Sequence, residues 1–200
     1  MPEAEDDAFK HVVSSGIPLI IYNSGGMDAV KRLGAQNYVG NEEYTAGVGG
    51  GEYYGAHGSK NVLCVNTLPG ATNTEARCKG VADGMAKSSG KSSQLPLPSS
   101  SFGNPTAVAQ AIKAALQKDK TIDGVITISA GDANSAATGI SQAGAVKQVK
   151  LAAFDMDTTN LQRIKDGTQL FCIDQQPYLQ GFLSVSMLDR KSTRLNSSHT

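Results

Sequence analysis

The polar residues of this sequence that are best placed for chemistry come directly after apolar runs. Five such groups occur, and they are Asn23–Gly26, Asn66–Thr67, Ala130–Asp132, Asp155–Asp157 and Asp174–Gln176. They carry amides, hydroxyls and carboxylates, and they contain neither histidine nor cysteine. Amides and carboxylates exchange hydrogen bonds with hydroxyl groups, whereas nucleophilic catalysis needs an activated nucleophile beside a base. The set therefore favours recognition of hydroxyl groups over covalent catalysis.

The apolar runs themselves predict buried strands, because they are continuous rather than alternating. They lie at Pro18–Tyr22, Asn37–Val39, Val62–Asn66, Gly124–Ser129, Leu151–Phe154 and Leu170–Ile173, with a short extended piece at Gln94–Leu97. Helical patterns lie between them, and Asn104 followed by Pro105 is a strong helix start. Alternating strands and helices predict an α/β fold with parallel sheets, in which ligands bind beyond the carboxyl ends of the strands.

Composition excludes several classes of function. Lys and Arg together equal Asp and Glu, 18 against 18, so there is no basic excess for binding nucleic acid. The three cysteines cannot build a disulfide framework, and we interpret Cys64 and Cys78 as small buried residues. The three histidines are scattered, so the sequence predicts neither a metal centre nor a cofactor.

Glycines interrupt one predicted helix. It opens with Glu42 and Glu43 after Asn41 and runs to about His57, with Gly49–Gly51 in its middle. Each glycine costs a helix about 1 kcal/mol relative to alanine. Their presence predicts that another backbone lies close to this helix.

Both ends of the sequence look unlike the rest. Residues 190–200 contain one large apolar residue and no periodicity, and we interpret them as a non-native tail, the alternative being a flexible natural one. Residues 8–16 resemble the end of a helix feeding a strand, so we expect the chain to be a fragment. No apolar run approaches the roughly 20 residues that span a bilayer, and the acidic start is unlike a signal peptide.

The order of motifs resembles the type I periplasmic substrate-binding proteins for simple sugars, the ribose-binding-protein-like receptors of ABC importers. The matching segments are Gly16–Gly25, Tyr38–Gly47, Asn61–Pro69, Glu75–Gly80, Ile122–Ile126, Ala153–Asp155 and Ile173–Gly181. Together they span about residues 8–188, in the order in which the family has them.

The resemblance implies two Rossmann-like lobes with parallel sheets and a sugar held in the cleft between them. Residues 1–40 would be part of an incomplete N-lobe, 41–174 the C-lobe, and 175–189 an N-lobe helix after the hinge. It also implies a location in the periplasm or cell envelope and a membrane permease of the ABC type as partner. Any leader would have been lost with the missing N-terminal segment.

The resemblance also assigns ligand-binding roles to Asn23, Arg77, Asp155 and Gln175. At position 131 this sequence has glycine where ribose-type relatives carry an asparagine that binds the ligand. Either Asp132 takes over that role or the ligand differs. Each has a simpler interpretation, which stays open: a turn residue for Asn23, a solvated arginine paired with Glu75 or Asp83 for Arg77, a helix cap for Asp155, and a hinge residue for Gln175. Tyr22, Tyr44 and Phe154 could contact a sugar ring, but we expect them in the core.

Other functions compete with sugar transport. A dinucleotide-dependent oxidoreductase would need Gly47–Gly51 at a strand-to-helix turn, not inside a helix. A glycosidase could pair Asp155 with Asp174, although nothing in the sequence separates the pKa values of these two carboxyls. The serious alternative is the sugar-sensing core of a transcriptional regulator or sensor, which shares fold and site. We therefore expect a non-enzymatic receptor for a small sugar.

Overall fold

The computed structural model describes residues 5–197, without the side chains of Ser99 and of residues 191–197. The chain divides into two compact units at 42/43 and at 174/175. Unit 1 comprises the residues up to Glu42 together with those from Gln175 onward, and unit 2 is Glu43–Asp174. The predicted 190–200 tail falls largely outside the fully described residues, so its origin stays a prediction.

Unit 2 contains a five-stranded parallel sheet. Its strands are β3 (Asn61–Asn66), β4 (Lys91–Pro96), β5 (Gly124–Thr127), β6 (Lys150–Phe154) and β7 (Phe171–Ile173), in the order β4-β3-β5-β6-β7. The register pairs Leu63 with Val125 and Val125 with Leu151. All residues of β3 and β5 are buried, as continuous apolar runs predict for central parallel strands.

Helices cover both faces of this sheet. They are α3 (Glu43–Ala56), α4 (Thr72–Ala86), α5 (Pro105–Lys118), α6 (Ala130–Gln142) and α7 (Thr158–Lys165). Because successive strand residues point to opposite faces, Leu63, Val65 and Val125 pack with the apolar residues of α5 and α6. Val62, Cys64 and Ile126 pack on the other face with Tyr54 of α3 and Met85 of α4.

Helices α3 and α4 approach each other through glycines. A Cβ at Gly47 would overlap the carbonyl oxygen of Arg77, and one at Gly51 would overlap that of Val81. Gly80 and Gly84 of α4 meet the backbone of α3 in the same way. The expectation of a neighbouring backbone is therefore confirmed at Gly51, although Gly49 has nothing within contact distance.

Unit 1 is built around a two-stranded parallel sheet of β1 (Ile20–Tyr22) and β2 (Asn37–Val39). Its helices are α1 (Asp6–Ser14), α2 (Gly26–Leu33) and α8 (Pro177–Ser197). Ile21, Val30 and Leu33 form its small core. The prediction that β1 is covered on both faces is wrong, because Tyr22 is 61% exposed.

Local signals predicted several element boundaries correctly. The side chain of Asn104 accepts a hydrogen bond from the Ala107 backbone N–H at the start of α5, with Pro105 as the first helical residue. Gly144 and Gly167 follow α6 and α7 with positive φ angles of 70° and 72°. Within residues 5–197, no helix combines the length and apolarity that crossing a membrane requires.

The structure corrects the interpretation of the cysteines. Cys64 and Cys78 are buried, as expected, but they form a disulfide that joins β3 to α4. Their Cα atoms lie 5.6 Å apart, within the range that a disulfide needs, although 14 residues separate them in the chain. Cys172 is a free thiol.

Candidate functional site

Three neighbouring strands of unit 2 bring polar residues together at one edge of the sheet. β3, β5 and β6 lie side by side and run in the same direction, so their carboxyl ends share one edge. Thr67, Ser129 and Asp155 follow these strands, and Arg77 reaches the same edge from α4. We call this place the carboxyl edge of unit 2.

Arg77 is held rigidly at the carboxyl edge. Its Nε and Nη2 atoms donate to the two carboxylate oxygens of Glu43 at 2.7 and 2.9 Å. Its Nη1 donates to the carbonyl oxygen of Ile128 at 2.9 Å, and the guanidinium carbon lies 4.7 Å from the centre of the Phe154 ring. Only 4% of the Arg77 side chain is exposed. The bidentate pair, the carbonyl and the ring together fix the plane of the guanidinium.

The simpler interpretation of Arg77 as a solvated surface residue is wrong. Asp83 instead accepts hydrogen bonds from Lys79 and Tyr44 on the exposed side of α4. Glu75 accepts from the side chain of Asn66 and from the backbone N–H of Gly70. The partner that the sequence did not reveal is Glu43, which lies 34 residues before Arg77.

Asp132 lies in the first turn of α6 and is anchored by hydroxyl groups. Thr67 and Ser129 each donate to its Oδ2 at 2.8 Å. Ser129 also caps α6, because its Oγ accepts from the backbone N–H of Asp132. The carboxylate thus joins the end of β3 to the loop after β5.

A pocket of about 250 Å³ lies beside Asp132 in unit 2. Gly131 borders it, and a Cβ at that position would meet only Ser129 Oγ, at 4.0 Å. Phe102, which is 61% exposed, forms part of its wall. Sequence reasoning missed Phe102 because it stands in a Ser/Pro-rich stretch. The available signal was an aromatic residue standing alone in a polar stretch of the sequence.

Backbone conformation distinguishes several of the predicted site residues. Asp155 has a φ of 67°, Asn23 a φ of 63° and Gln176 a φ of 51°. Left-handed backbone is uncommon for residues other than glycine and collects at functional sites. Asp155 follows β6, Asn23 follows β1, and Gln176 comes three residues after the end of β7, so all three lie in the predicted strand-end segments.

Asp155 is not needed as a helix cap. Asp157 is the N-cap of α7, because its Oδ1 accepts a hydrogen bond from the backbone N–H of Asn160 at 2.6 Å. The backbone N–H of Asp155 donates to the carbonyl of Ile173 at 2.9 Å, which ties the residue to the end of β7. The capping interpretation of Asp155 is therefore wrong.

A buried polar network supports the loop that carries Asp155. Asn160, fully buried, donates to the carbonyl of Ala130, and Asn134 donates to Asp157 Oδ2 at 3.0 Å. Arg163 donates to the amide oxygens of Asn134 and Asn160. Burial acts to raise the pKa of the Asp157 carboxyl, but the hydrogen bonds from Asn160 and Asn134 outweigh it and hold the pKa below its usual range.

Asn23 and Gln175 belong to unit 1. Asn23 follows β1, where its backbone N–H donates to Val39 and its carbonyl accepts from the Tyr38 hydroxyl at 3.1 Å. Gln175 is buried, and its carbonyl accepts from the side chain of Gln180 at 2.6 Å. Their roles in ligand binding remain predictions.

The expected burial of three aromatic residues is correct for one of them. Phe154 is fully buried beneath Arg77. Tyr22 and Tyr44 are 61% and 43% exposed, so the expectation is wrong for both. Tyr44 faces outward from α3 and donates its hydroxyl to Asp83. Across the part of the chain that the structure describes, no cluster of three or more His, Cys, Asp or Glu residues suits a metal ion.

Comparison with protein families decides what kind of chain this is. The profile of the periplasmic binding protein domain matches residues 1–193. The chain belongs to the periplasmic binding protein family. The fold class and the family expected from the sequence motifs are therefore confirmed.

Solved structures of other periplasmic binding proteins have the same fold. A carbohydrate transporter from Acidothermus cellulolyticus, solved with myo-inositol, is 34% identical with a TM-score of 0.83, over 92% of this chain and 61% of that one. A solute binding protein from Actinobacillus succinogenes with bound D-allose is 22% identical with a TM-score of 0.82, over 96% and 68%. A periplasmic sugar binding protein from Legionella pneumophila is 18% identical with a TM-score of 0.82, over 92% and 68%.

The proteins from Actinobacillus succinogenes and Legionella pneumophila are similar to this chain in fold alone, because their sequences are only 22% and 18% identical to it. This chain spans 61% of the length of the Acidothermus cellulolyticus protein. A search of the curated proteins finds no significant match.

Proposed function

We propose that this periplasmic binding protein is the sugar-binding receptor of an ABC-type importer and that it captures a small carbohydrate or cyclitol. The observation that carries the proposal is the pairing of functions at the carboxyl edge of unit 2. There Glu43 and Ile128 hold the Arg77 guanidinium, and Asp155 directly follows β6. We expect the guanidinium to donate hydrogen bonds to the ligand and the Asp155 carboxylate to accept them. The similarity to a carbohydrate transporter that binds myo-inositol supports this ligand class.

The chemistry of the edge suits a polyhydroxylated ring. A carboxylate accepts hydrogen bonds from two hydroxyls, and a guanidinium donates to adjacent oxygens from a fixed fork. Asp132 adds an acceptor, and Phe102 offers an aromatic surface for the C–H face of a ring. The family resemblance also supports Asn23 and Gln175 of unit 1 as ligand-binding residues.

In this function the chain is a binding protein rather than an enzyme, acts in the periplasm or cell envelope, and delivers its ligand to a membrane permease. The sugar-sensing core of a regulator would bind the same ligand through the same residues. Genetic context separates the two, because a receptor gene encodes a leader and lies beside permease genes, whereas a repressor gene encodes a DNA-binding segment.

Calorimetric titration of the product of the full reading frame tests the proposal. We expect one of the pentoses, hexoses or myo-inositol to bind. Asp155→Asn keeps a residue that tolerates left-handed backbone but removes the charge, and it should weaken binding by about 30- to 150-fold, equivalent to about 2–3 kcal/mol. Asp166→Asn, a substitution of an exposed aspartate after α7, is the matched control and should leave affinity unchanged.

Arg77→Lys tests the donor side of the site. Lysine keeps the positive charge opposite Glu43 but loses the planar fork, so binding should weaken by about tenfold or more while the protein stays folded. If both variants bind as tightly as the parent, Arg77 and Asp155 do not hold the ligand. If no compound of the panel binds the parent, the sugar-receptor function itself is wrong.

A further inference from the structure

We propose that Glu43 is a specificity-determining residue, which restricts the site to uncharged ligands by neutralising Arg77. The inference rests on the proposed function, since it concerns the same site. The inference goes beyond that function because it assigns a role to Glu43, which lies outside the predicted ligand contacts. It also excludes a substrate class, the sugar acids and sugar phosphates.

The geometry of the pair supports neutralisation. Both oxygens of the Glu43 carboxylate accept hydrogen bonds from Arg77, at 2.7 and 2.9 Å. The two side chains are 8% and 4% exposed, so water screens their charges little. At this distance and burial the carboxylate cancels most of the field of the guanidinium, while the carbonyl of Ile128 holds the third donor.

Close helix packing keeps this pair together. Glu43 is the first residue of α3, and Gly47 lies one turn later, directly against the backbone of Arg77. Because Gly47 has no side chain, the two helices approach closely enough for the short Glu43 side chain to reach the guanidinium. Lys79, two residues after Arg77, is 68% exposed and forms an ion pair with Asp83 instead.

Two other charged residues that we place at the carboxyl edge, Asp132 and Asp155, have the same sign as Glu43. They bring two further carboxylates to this edge, so three carboxylates accompany the single guanidinium of Arg77 among these residues. Arg163 is directed toward the amide oxygens of Asn134 and Asn160. An anionic ligand would meet like charges, which cost several kcal/mol across an interface, whereas a hydroxyl would not.

The test separates charge from shape with matched ligands. D-glucuronamide and D-glucuronate differ only in an amide and a carboxylate, and the galacto pair repeats the comparison. For myo-inositol, the monomethyl ether and the monophosphate serve as the neutral and anionic members. Affinities are measured for the parent, for Glu43→Gln and for Glu52→Gln, a control that removes an exposed carboxylate from the same helix.

We expect the parent to bind each neutral member at least about tenfold more tightly than its anionic counterpart. In Glu43→Gln the amide oxygen still accepts from Arg77 but the negative charge is gone. The ratio of neutral to anionic affinity should therefore fall by about tenfold or more, and Glu52→Gln should keep the parental ratio. A general change in packing would weaken the binding of the neutral and the anionic member equally, and the ratio of their affinities would stay the same.

Each result decides the proposal. Equal affinity of the parent for the amide and the acid overturns it, even if Glu43→Gln fails to fold. An unchanged ratio in folded Glu43→Gln overturns it as well. The double variant Glu43→Gln/Arg77→Gln removes both charges and should retain the preference for neutral ligands. If no neutral compound binds the parent, the proposed function fails and this inference falls with it.

Discussion

Gly47 lies directly against the backbone carbonyl of Arg77, so that a single added Cβ at position 47 would overlap that oxygen. Together with the contacts at Gly51, Gly80 and Gly84, this contact brings α3 close to α4, and Glu43 at the start of α3 lies beside the guanidinium.

Gly47→Ala should therefore destabilise the protein by about 1–3 kcal/mol, the usual range for overpacking in a core. Gly49→Ala, two residues away on the exposed side of α3, meets nothing within 4 Å. It should stabilise the helix by up to about 1 kcal/mol. Urea unfolding of the two variants beside the parent measures both effects. Equal effects at the two positions would show that the helices are not in close contact.

The Cys64–Cys78 disulfide should contribute about 2–4 kcal/mol to stability, because it constrains the unfolded chain and closes a loop of about 15 residues. Replacing both cysteines with alanine should lower the melting temperature, and a reducing agent should lower it in the parent but not in this variant. Cys172→Ala removes the free thiol and serves as the control, keeping the parental response to reductant. A parent whose melting is insensitive to full reduction would contradict the prediction.

The network around Asp157 predicts a specific pH dependence. Hydrogen bonds from Asn160 and Asn134 hold the pKa of Asp157 below its unfolded value of about 3.9. The ionised carboxylate therefore stabilises the fold fully above that value, and the contribution is lost as the pH falls through the lower pKa of the folded state. Asp157→Asn cannot titrate, so its stability deficit should be constant from neutral pH to about pH 5 and should shrink below about pH 4. A deficit that is the same at pH 7 and pH 3 would count against the network.

Unit 1 should be the less stable part of the 200-residue chain. Its sheet has two strands, and small sheets of this kind are marginal on their own. Tyr178, Phe182 and Val185 form an apolar stripe on α8 and are 79%, 55% and 68% exposed. We expect amide hydrogens of β1 and β2 to exchange faster than those of β3 and β5, by about tenfold or more. Equal protection in the two sheets would show that unit 1 is as stable as unit 2.

Local signals in the sequence determined much of the fold and the places where the site would lie. The continuous apolar runs of β3 and β5, the Asn104–Pro105 helix start and the glycines after α6 and α7 each act within a few residues. Because parallel strands share one carboxyl edge, the residues that follow them were identifiable as site candidates before any contact was known. Asp155 was selected in this way, whereas Arg77 lies within α4 and was proposed from the family resemblance.

Pairings between distant residues were decided only by the tertiary structure. The Arg77–Glu43 pair, the Cys64–Cys78 disulfide and the exposure of Tyr22 depend on how helices and strands pack, and the hydrophobic pattern of a segment does not encode its neighbour. Several carboxylates were equally plausible partners for Arg77 by spacing along the chain. Glu43 is the partner because Gly47 lets α3 approach α4 at that point, and this depends on the shapes of two helices together.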